Sequence, residues 1–217
     1  MNSSMTDFPF QQALQLLQEE NGLDTSPRLL SRIQEYDVLL RRWNKSLHLV
    51  SDKDLDRIED VHIVDAFSLA PYIRKFANPE TGILDIGSGG GFPIIPLKCL
   101  FPDLRCTLIE RNEGKVGFLH RVIARLELSD IEVVHGAFPE TVDTVTASVI
   151  TARAVERPGK LIPALLSRMP ATSVFLCQAP LEKFIVPETF HVEHINDFWA
   201  YAGLRRGTLA LLQKKPS

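Results

Sequence analysis

The sequence has little cysteine and no excess of positive charge. Its three cysteines, Cys99, Cys106 and Cys177, form no CxxC pair and join no His/Cys cluster. The sequence therefore indicates neither a disulfide framework nor a zinc site. Lysine and arginine together number 24, against 27 aspartates and glutamates. Because a protein that coats nucleic acid non-specifically is usually basic, any contact with RNA or DNA must come from local patches.

Long apolar runs are also missing from the chain. No stretch is long enough to span a bilayer. No charged segment precedes an apolar one as in a signal peptide, since the first basic residue is Arg28. We expect a cytoplasmic protein without a membrane partner. The hydrophobic fraction of 45% and the charged fraction of 24% are typical of a globular chain.

The first part of the chain has helical patterns. Ser26-Pro27 is a typical helix start, with a capping residue followed by proline at the first position. The apolar residues that follow at helical spacing are Leu29, Leu30, Ile33, Tyr36, Leu40 and Trp43. A further helix is predicted over much of Asp54 to Tyr72. We predict a helical cap formed by residues 1–75.

From residue 82 onward, short apolar runs alternate with amphipathic helical stretches. The runs are Ile83–Ile86, Cys106–Ile109, Ile131–His135, Ser148–Thr151 and Ser173–Cys177. This alternation predicts βαβ units, with a parallel sheet covered by helices on both faces. Phe190–Ile195 and Thr208–Gln213 are strand-like with no long helix between them, which predicts a closing antiparallel hairpin. Residues 76–217 are therefore predicted to form an α/β core with a mostly parallel seven-stranded sheet.

A glycine-rich loop follows the first predicted strand, in the segment Asp85-Ile86-Gly87-Ser88-Gly89-Gly90-Gly91. Ligands of open α/β sheets bind at the carboxyl ends of strands, and glycines there let a ligand approach the backbone. Asp85 can accept a hydrogen bond from a loop amide or a ligand ammonium group. The dinucleotide fingerprint GxGxxG would need a glycine where Phe92 stands, which disfavours a nicotinamide-dependent oxidoreductase.

Glu110 ends the second predicted strand. An acidic residue about 20 residues after the glycines can hold the two hydroxyls of a ribose. Nicotinamide cofactors and S-adenosylmethionine both contain that ribose, so Glu110 alone does not discriminate between them. Together with the failed GxGxxG pattern, it favours S-adenosylmethionine as the cofactor.

Four segments in this order and spacing are similar to those of the RsmG (GidB) family. They are Trp43-Asn44-Lys45, Val61–Ser68, Leu84–Pro93 and Thr151-Ala152-Arg153-Ala154-Val155. The resemblance implies a Rossmann-like class I methyltransferase that uses S-adenosylmethionine to methylate guanine N7 in bacterial small-subunit ribosomal RNA. The implied partner is ribosomal RNA or the small ribosomal subunit, and we expect a monomer.

The resemblance, the loop and the clusters of basic residues that contain Lys45, Arg157 and Arg206 together predict the site residues, and no metal site is among them. The predicted cofactor contacts are Asp85, Gly87, Gly89, Phe92, Glu110, Phe138, Pro139 and Arg153. The predicted catalytic residues are Arg153, Asn44 and His62. The predicted substrate contacts are Trp43, Lys45, Arg157 and Arg206.

Several of these residues have a second interpretation. Arg153, at the carboxyl edge of the sheet, suits a cofactor carboxylate, an RNA phosphate or a surface ion pair. Core packing also suits Trp43 and His62, which lie on apolar stripes. This chain has Cys177-Gln178-Ala179 where the family has Leu-Lys-Gly. The loss of that lysine would allow the protein to act on a different RNA target. The alternative function is therefore an S-adenosylmethionine-binding and RNA-binding module with lost or altered activity.

The chemistry of guanine N7 agrees with the absence of a recognisable dyad or triad in the sequence. N7 carries an in-plane lone pair and no hydrogen, so its attack on a methyl group needs no general base. Catalysis then depends on holding N7 about 3 Å from the methyl carbon in the correct alignment.

Overall fold

A computed structural model of the chain describes residues 9–19, 22–142, 144–153, 157–178 and 180–216. The first eight residues of the predicted cap lie outside the described residues. Ala154 and Val155 of the fourth family-like segment also lie outside the described residues, as does Ala179, the last residue of the segment that differs from the family. In the described part of the chain, no helix is both long enough and apolar enough to cross a membrane.

Seven strands form one sheet in the described chain. They are β1 Ile83–Ile86, β2 Cys106–Glu110, β3 Ile131–His135, β4 Val149–Ala152, β5 Val174–Cys177, β6 Phe190–His194 and β7 Ala210–Lys214. Their order is β3-β2-β1-β4-β5-β7-β6; the first five in this order are parallel, and β7 runs antiparallel to both of its neighbours. The predicted α/β fold with a mostly parallel seven-stranded sheet and a closing antiparallel pair is confirmed. The order reverses between β1 and β4, the position where open α/β sheets bind ligands.

Helices connect the strands and cover the sheet. The helices within the core are α5 Ile94–Leu100, α6 Glu113–Arg125, α7 Pro158–Arg168 and the short α8 Phe198–Tyr201. Before the sheet lie α1 Pro9–Glu19, α2 Pro27–Leu47, α3 Val64–Phe67 and α4 Ala70–Phe76. Strands β1, β4 and β5 are buried throughout, which explains why their sequences are continuous apolar runs and not alternating ones.

The helix predicted over Asp54 to Tyr72 is not continuous. The structure divides this stretch into a 3₁₀ turn at Asp52–Arg57, a π turn at Glu59–Ile63, and then α3 and α4. Every residue from 61 to 70 is buried, so the segment has no exposed face that a regular amphipathic helix would leave in solvent. Pro71 lies in the first turn of α4, where proline is tolerated, and a new helix begins there.

Helix α2 begins at Pro27, as predicted, although the Ser26 side chain makes no capping hydrogen bond. Its buried stripe ends on Asn44, which is 1% exposed, whereas Trp43 is half-buried. One apolar cluster contains residues of α1, α2 and α5 together with strand residues of the sheet. The helices before residue 76 therefore pack directly on the core, and the boundary between cap and core at residue 75 stays a prediction.

A buried arginine connects the segment between β6 and β7 to the helical region. The side chain of Arg205 is fully buried and makes two hydrogen bonds to Asp197, at 2.7 and 2.8 Å. It also donates to the hydroxyl and the carbonyl oxygen of Ser68, both at 3.1 Å. Tyr72 donates to the same Asp197 carboxylate at 2.8 Å. This cluster holds the segment between β6 and β7 against the turn between α3 and α4.

We expect Arg205→Ala to lower the free energy of unfolding by about 3 kcal/mol, the lower end of the range for buried pairs, because Asp197 loses its charged partner but is 25% exposed and still accepts from Tyr72. Thermal and urea unfolding followed by circular dichroism measure the change. The control is Arg125→Ala, which breaks the exposed pair between Arg125 and Glu35 and should leave the unfolding midpoint almost unchanged. Equal effects of the two substitutions would contradict the role assigned to Arg205.

Candidate active site

The glycine loop turns sharply where β1 ends at the point of strand-order reversal. Gly87, Gly89 and Gly91 have positive φ angles of 76°, 56° and 98°. The N–H groups of Gly87 and Ser88 both donate to the carbonyl oxygen of Ile109, at 2.9 and 3.1 Å. The loop is thereby attached to β2, the neighbouring strand.

The glycines of the loop serve two different purposes. A Cβ atom at Gly91 would lie 2.5 Å from the Ile95 side chain of α5 and 3.0 Å from the Tyr36 hydroxyl, and one at Gly90 would lie 3.2 Å from the Leu49 carbonyl oxygen. Gly91 is therefore required mainly by the close approach of α5, and the helical region packs tightly against both glycines. A Cβ atom at Gly89 would meet nothing nearer than 3.8 Å. The backbone of Gly89 therefore faces open space, where a ligand can approach it.

Glu110 fastens the other side of the loop. One carboxylate oxygen accepts the Gly89 N–H at 2.8 Å, and the other accepts the Asn112 N–H at 2.7 Å. A carboxylate offers about four acceptor positions, so these two bonds leave room for the hydroxyls of a ligand. The residue predicted to hold a ribose thus also sets the shape of the loop.

Asp85 has one carboxylate oxygen without a hydrogen-bond partner among the described residues. Its Oδ1 accepts the Thr151 hydroxyl at 2.6 Å, while its Oδ2 is buried and unpaired. Burial raises the pKa of this carboxyl to about 7, although the side chains of Ser88 and Thr151 act to lower it. A buried polar atom is normally paired, so the unpaired Oδ2 fits a ligand that brings a charged N–H group to the end of β1.

Arg153 follows β4 and meets three of its neighbours at close range. Its Nη2 donates to His62 Nδ1 at 2.8 Å and lies 3.4 Å from the Asp65 carboxylate. Its guanidinium carbon is 5.6 Å from the centroid of the Phe92 ring, a cation–π distance. Its Nη1 is buried and has no partner among the described residues. The structure therefore brings three predicted site residues together.

His62 packs between an arginine and an aspartate. Its ring centroid lies 5.2 Å from that of Phe92, and its Nε2 lies 3.3 Å from Asp54 Oδ2. Burial and then the positive charge of Arg153 lower the pKa of His62 to about 4. The imidazole is consequently neutral at pH 7, and its Nδ1 accepts a hydrogen bond from Arg153. It is not available there as a base.

Arg206 joins the same network from the segment before β7. Its Nη1 donates to Asp54 Oδ2 at 3.2 Å, and its backbone N–H donates to Asp65 Oδ1 at 2.7 Å. Asp65 Oδ2 also accepts the side-chain amide of Gln178 at 3.2 Å. Asp65 thus connects the ends of β4 and β5 with the segment that leads into β7.

Four further residues of the predicted site lie outside this network. Phe138 is buried in a separate apolar cluster, with the Arg168 guanidinium carbon 6.0 Å from its ring centroid, and Pro139 is half-buried. Arg157, just before α7, and Lys45, near the end of α2, are exposed. Their predicted contacts with cofactor or substrate remain predictions.

Asn44 and Trp43 differ in what they contact. Asn44 accepts the Val50 N–H at 2.9 Å and donates to Asp52 at 3.1 Å, so both ends of its amide hold the turn after α2. It is therefore not one of the solvated cap residues that its position after the last apolar residue suggests. Trp43 packs on the core, and the guanidinium carbon of Arg121 lies 4.6 Å from its ring centroid.

Sequence reasoning missed several residues that build the site. Asp65 lies three residues after His62, a spacing that places both on one helical face, and this was a usable signal. Thr151 is opposite Asp85 in the register of β4 and β1, which no local pattern reveals. Among the described residues, no group of three or more His, Cys, Asp or Glu side chains is placed to hold a metal ion.

A sheet of this order, with a glycine loop at its reversal point and an acid at the end of the next strand, defines the Rossmann-like fold of methyltransferases. A methyltransferase from Podospora anserina, crystallised with SAH bound, has the same fold, with a TM-score of 0.58 at 11% identity and 100% coverage of both chains. The family model GidB, described as rRNA small subunit methyltransferase G, matches residues 29–177, and the chain belongs to this family.

Two relatives named "Ribosomal RNA small subunit methyltransferase G" show the extent of the similarity. The protein from Hydrogenovibrio crunogenus is 39% identical over 114 residues, which is 52% of this chain and 50% of that protein. The protein from Neisseria meningitidis is 37% identical over 133 residues, which is 61% of this chain and 62% of that protein. The matched part thus spans between one half and two thirds of these relatives.

We expect the His62 imidazole to remain neutral down to about pH 5, because its pKa lies near 4. Its NMR chemical shifts should then be constant between pH 8 and pH 5 and move only in more acidic solution. The His62→Gln variant identifies the resonance by its disappearance. A His62 that titrates near the ordinary value of about 6.5 would show that Arg153 does not hold the ring in its neutral form.

Proposed function

We propose that this protein binds S-adenosylmethionine and transfers its methyl group to N7 of a guanine in small-subunit ribosomal RNA. The observation that carries the cofactor assignment is the unpaired Asp85 Oδ2 beside the open face of Gly89, at the point where the strand order reverses. Family membership supports the choice of reaction. The names of the relatives support the choice of RNA.

The residues of the loop fit the parts of this cofactor. Asp85 Oδ2 suits its ammonium group, because an ionised carboxylate is an acceptor only. The acceptor positions that Glu110 retains suit the ribose hydroxyls. Arg153, whose Nη1 has no partner among the described residues, lies at the adjacent strand end and remains for the target base. Phe92, which stands where a dinucleotide site would have glycine, contacts His62 and Arg153 through its ring.

When bound, the cofactor would supply a methyl group on a positively charged sulfur: the bond from guanine N7 to the methyl carbon forms as the carbon–sulfur bond breaks, the sulfur leaves as a neutral thioether, and the positive charge passes to the methylated base. The protein has no proton to remove from N7. Its contribution is to hold the base and the methyl carbon in alignment, which accounts for a large part of the rate in reactions of this kind. The neutral His62 and the paired Arg153 suit this role, since both are held by hydrogen bonds and neither has to change protonation state.

The proposed partner is ribosomal RNA or the small ribosomal subunit, and the proposed location is the cytoplasm, where that RNA is assembled. RNA bases are reached most easily in loops and unpaired regions. Local positive charge for phosphate contacts comes from exposed side chains such as Arg157 and Lys45 and from the half-exposed Arg206. We propose that the protein acts as a monomer.

The raised pKa of Asp85 predicts how cofactor binding depends on pH. Only the ionised carboxylate can pair with an ammonium group, and a pKa of about 7 means that Asp85 becomes protonated as the pH falls below 7. The affinity for S-adenosylmethionine should therefore be about tenfold lower at pH 6 than at pH 8. Calorimetric titration at several pH values measures this.

Asp85→Asn should bind the cofactor more weakly at pH 8 and lose the pH dependence, because its amide does not titrate in this range. The exposed Asp103 supplies a matched control, since Asp103→Asn should behave like the unchanged protein. If the unchanged protein binds S-adenosylmethionine equally well at pH 6 and pH 8, Asp85 is not the partner of the ammonium group.

The product is tested in the host cell. Deleting the gene should remove one N7-methylguanosine from small-subunit ribosomal RNA, as measured by mass spectrometry of the digested RNA. A copy of the unchanged gene should restore the modification. A copy with Arg153→Ala should restore at most about a tenth of it under limiting expression, because losing a charged hydrogen bond costs about 1.5–3 kcal/mol.

Persistence of every N7-methylguanosine at full level after deletion would overturn the substrate assignment. If the purified protein nevertheless binds S-adenosylmethionine and RNA, the alternative of a binding module without this activity is the correct one.

A further inference from the structure

Two neighbouring strands end in side chains that lie side by side. Ala152 of β4 pairs in register with Cys177 of β5, so Arg153 and Gln178 follow at the same level on adjacent parallel strands. Adjacent strands are about 4.8 Å apart. Both residues lie at the carboxyl edge of the sheet, on the far side of the strand-order reversal from Glu110.

One carboxylate oxygen holds both side chains in place. Asp65 Oδ2 accepts the Gln178 Nε2–H at 3.2 Å and lies 3.4 Å from Arg153 Nη2. Asp65 is itself fixed, because its Oδ1 accepts the backbone N–H of Arg206. The carboxylate accepts hydrogen bonds only, so the amide of Gln178 must turn its Nε2 toward Asp65 and its Oε1 away from it.

Each of the two side chains retains one polar atom without a partner. Arg153 Nη1 is a donor, Gln178 Oε1 is an acceptor, and both are buried without a hydrogen-bond partner among the described residues. Buried polar atoms in proteins are nearly always paired, and the exceptions are often places where a ligand binds. Other buried atoms without a partner among the described residues include Asp85 Oδ2 at the end of β1 and His62 Nε2. Arg153 Nη1 and Gln178 Oε1 are the donor and the acceptor that one aspartate holds at neighbouring strand ends. Their ligand should therefore present an acceptor next to a donor.

We propose that Gln178 selects guanine as the target base: its Oε1 accepts the guanine N1–H, while Arg153 Nη1 donates to the adjacent O6. This inference rests on the proposed function and adds the residue that recognises the base. Adenine presents the reverse pattern, with a donor at N6 and an acceptor at N1, so both contacts would become repulsive. Guanine N7 remains unoccupied on the other side of O6 and can face the cofactor, which the loop after β1 would hold.

The test compares three RNAs that differ only in the base at the methylated position, after that position has been mapped in small-subunit ribosomal RNA. The bases are guanine, hypoxanthine and adenine, and kcat/KM is measured for each. Hypoxanthine, the base of inosine, keeps O6 and N1–H and lacks only the 2-amino group. We expect it to react within about threefold of guanine, and adenine to be rejected by a factor of about 10⁴ or more, as in sites built to hydrogen-bond one partner.

The variant Gln178→Met removes the amide and keeps a similar length of side chain. We expect it to reduce the preference for guanine over adenine at least about tenfold. The dissociation constant of S-adenosylhomocysteine should stay within about twofold of that of the unchanged protein, because Gln178 is assigned to the base and not to the cofactor. The exposed Gln34 on α2 supplies the control, since Gln34→Met should change neither quantity.

The outcomes separate this inference from the proposed function. If the unchanged protein methylates no guanine in ribosomal RNA, both are wrong. If it methylates guanine and Gln178→Met keeps the full preference over adenine, only the role of Gln178 is wrong. The comparison of hypoxanthine with adenine needs no variant, so it remains decisive if Gln178→Met does not fold. If hypoxanthine is rejected as strongly as adenine, the protein does not recognise the base through O6 and N1–H, and the inference is wrong.

Discussion

The close packing of helix α2 against the glycine loop is the constraint on which the rest of the site depends. Tyr36 is fully buried and donates to the carbonyl oxygen of Gly90, and its hydroxyl would lie 3.0 Å from a Cβ atom at Gly91. On the opposite side, Glu110 accepts the N–H of Gly89. The loop is held from both sides by the protein, so a ligand that binds it does not have to order it first, which favours binding.

A network of charged side chains, largely buried except for Arg206, contacts the ring of Phe92 directly after the glycine loop. Arg153 and Arg206 carry two positive charges and Asp54 and Asp65 two negative ones, while burial and Arg153 keep His62 neutral. Buried charges are costly unless they are paired and hydrogen-bonded, and here nearly every group has a partner. The network thereby sets the position of each side chain closely, which is what a reaction governed by alignment requires.

The fold was largely predictable because its signals are local. The runs Ile83–Ile86 and Ile131–His135 were predicted with their observed bounds, and the other predicted strands begin and end within two residues of the observed ones. The helix predicted over Asp54 to Tyr72 was less accurate, since burial on all sides removed the amphipathic period on which such predictions depend. The buried stripe of α2 was predicted to end on Trp43, whereas it ends on the polar Asn44, because an apolar period gives no signal for a buried polar residue.

By itself, the sequence determined the alternation of strands and helices, the glycine loop with Asp85 and Glu110 beside it, and the membership of a methyltransferase family. Only the tertiary structure decided which side chains meet: that Asp65 holds Arg153 and Gln178, and that Arg206, 141 residues further along the chain, donates its backbone N–H to the same aspartate. The physical reason is the separation along the chain between the residues that interact. Helical periods and glycine turns arise between residues a few positions apart, whereas these contacts depend on the order of strands in the sheet and on how the helices pack against it.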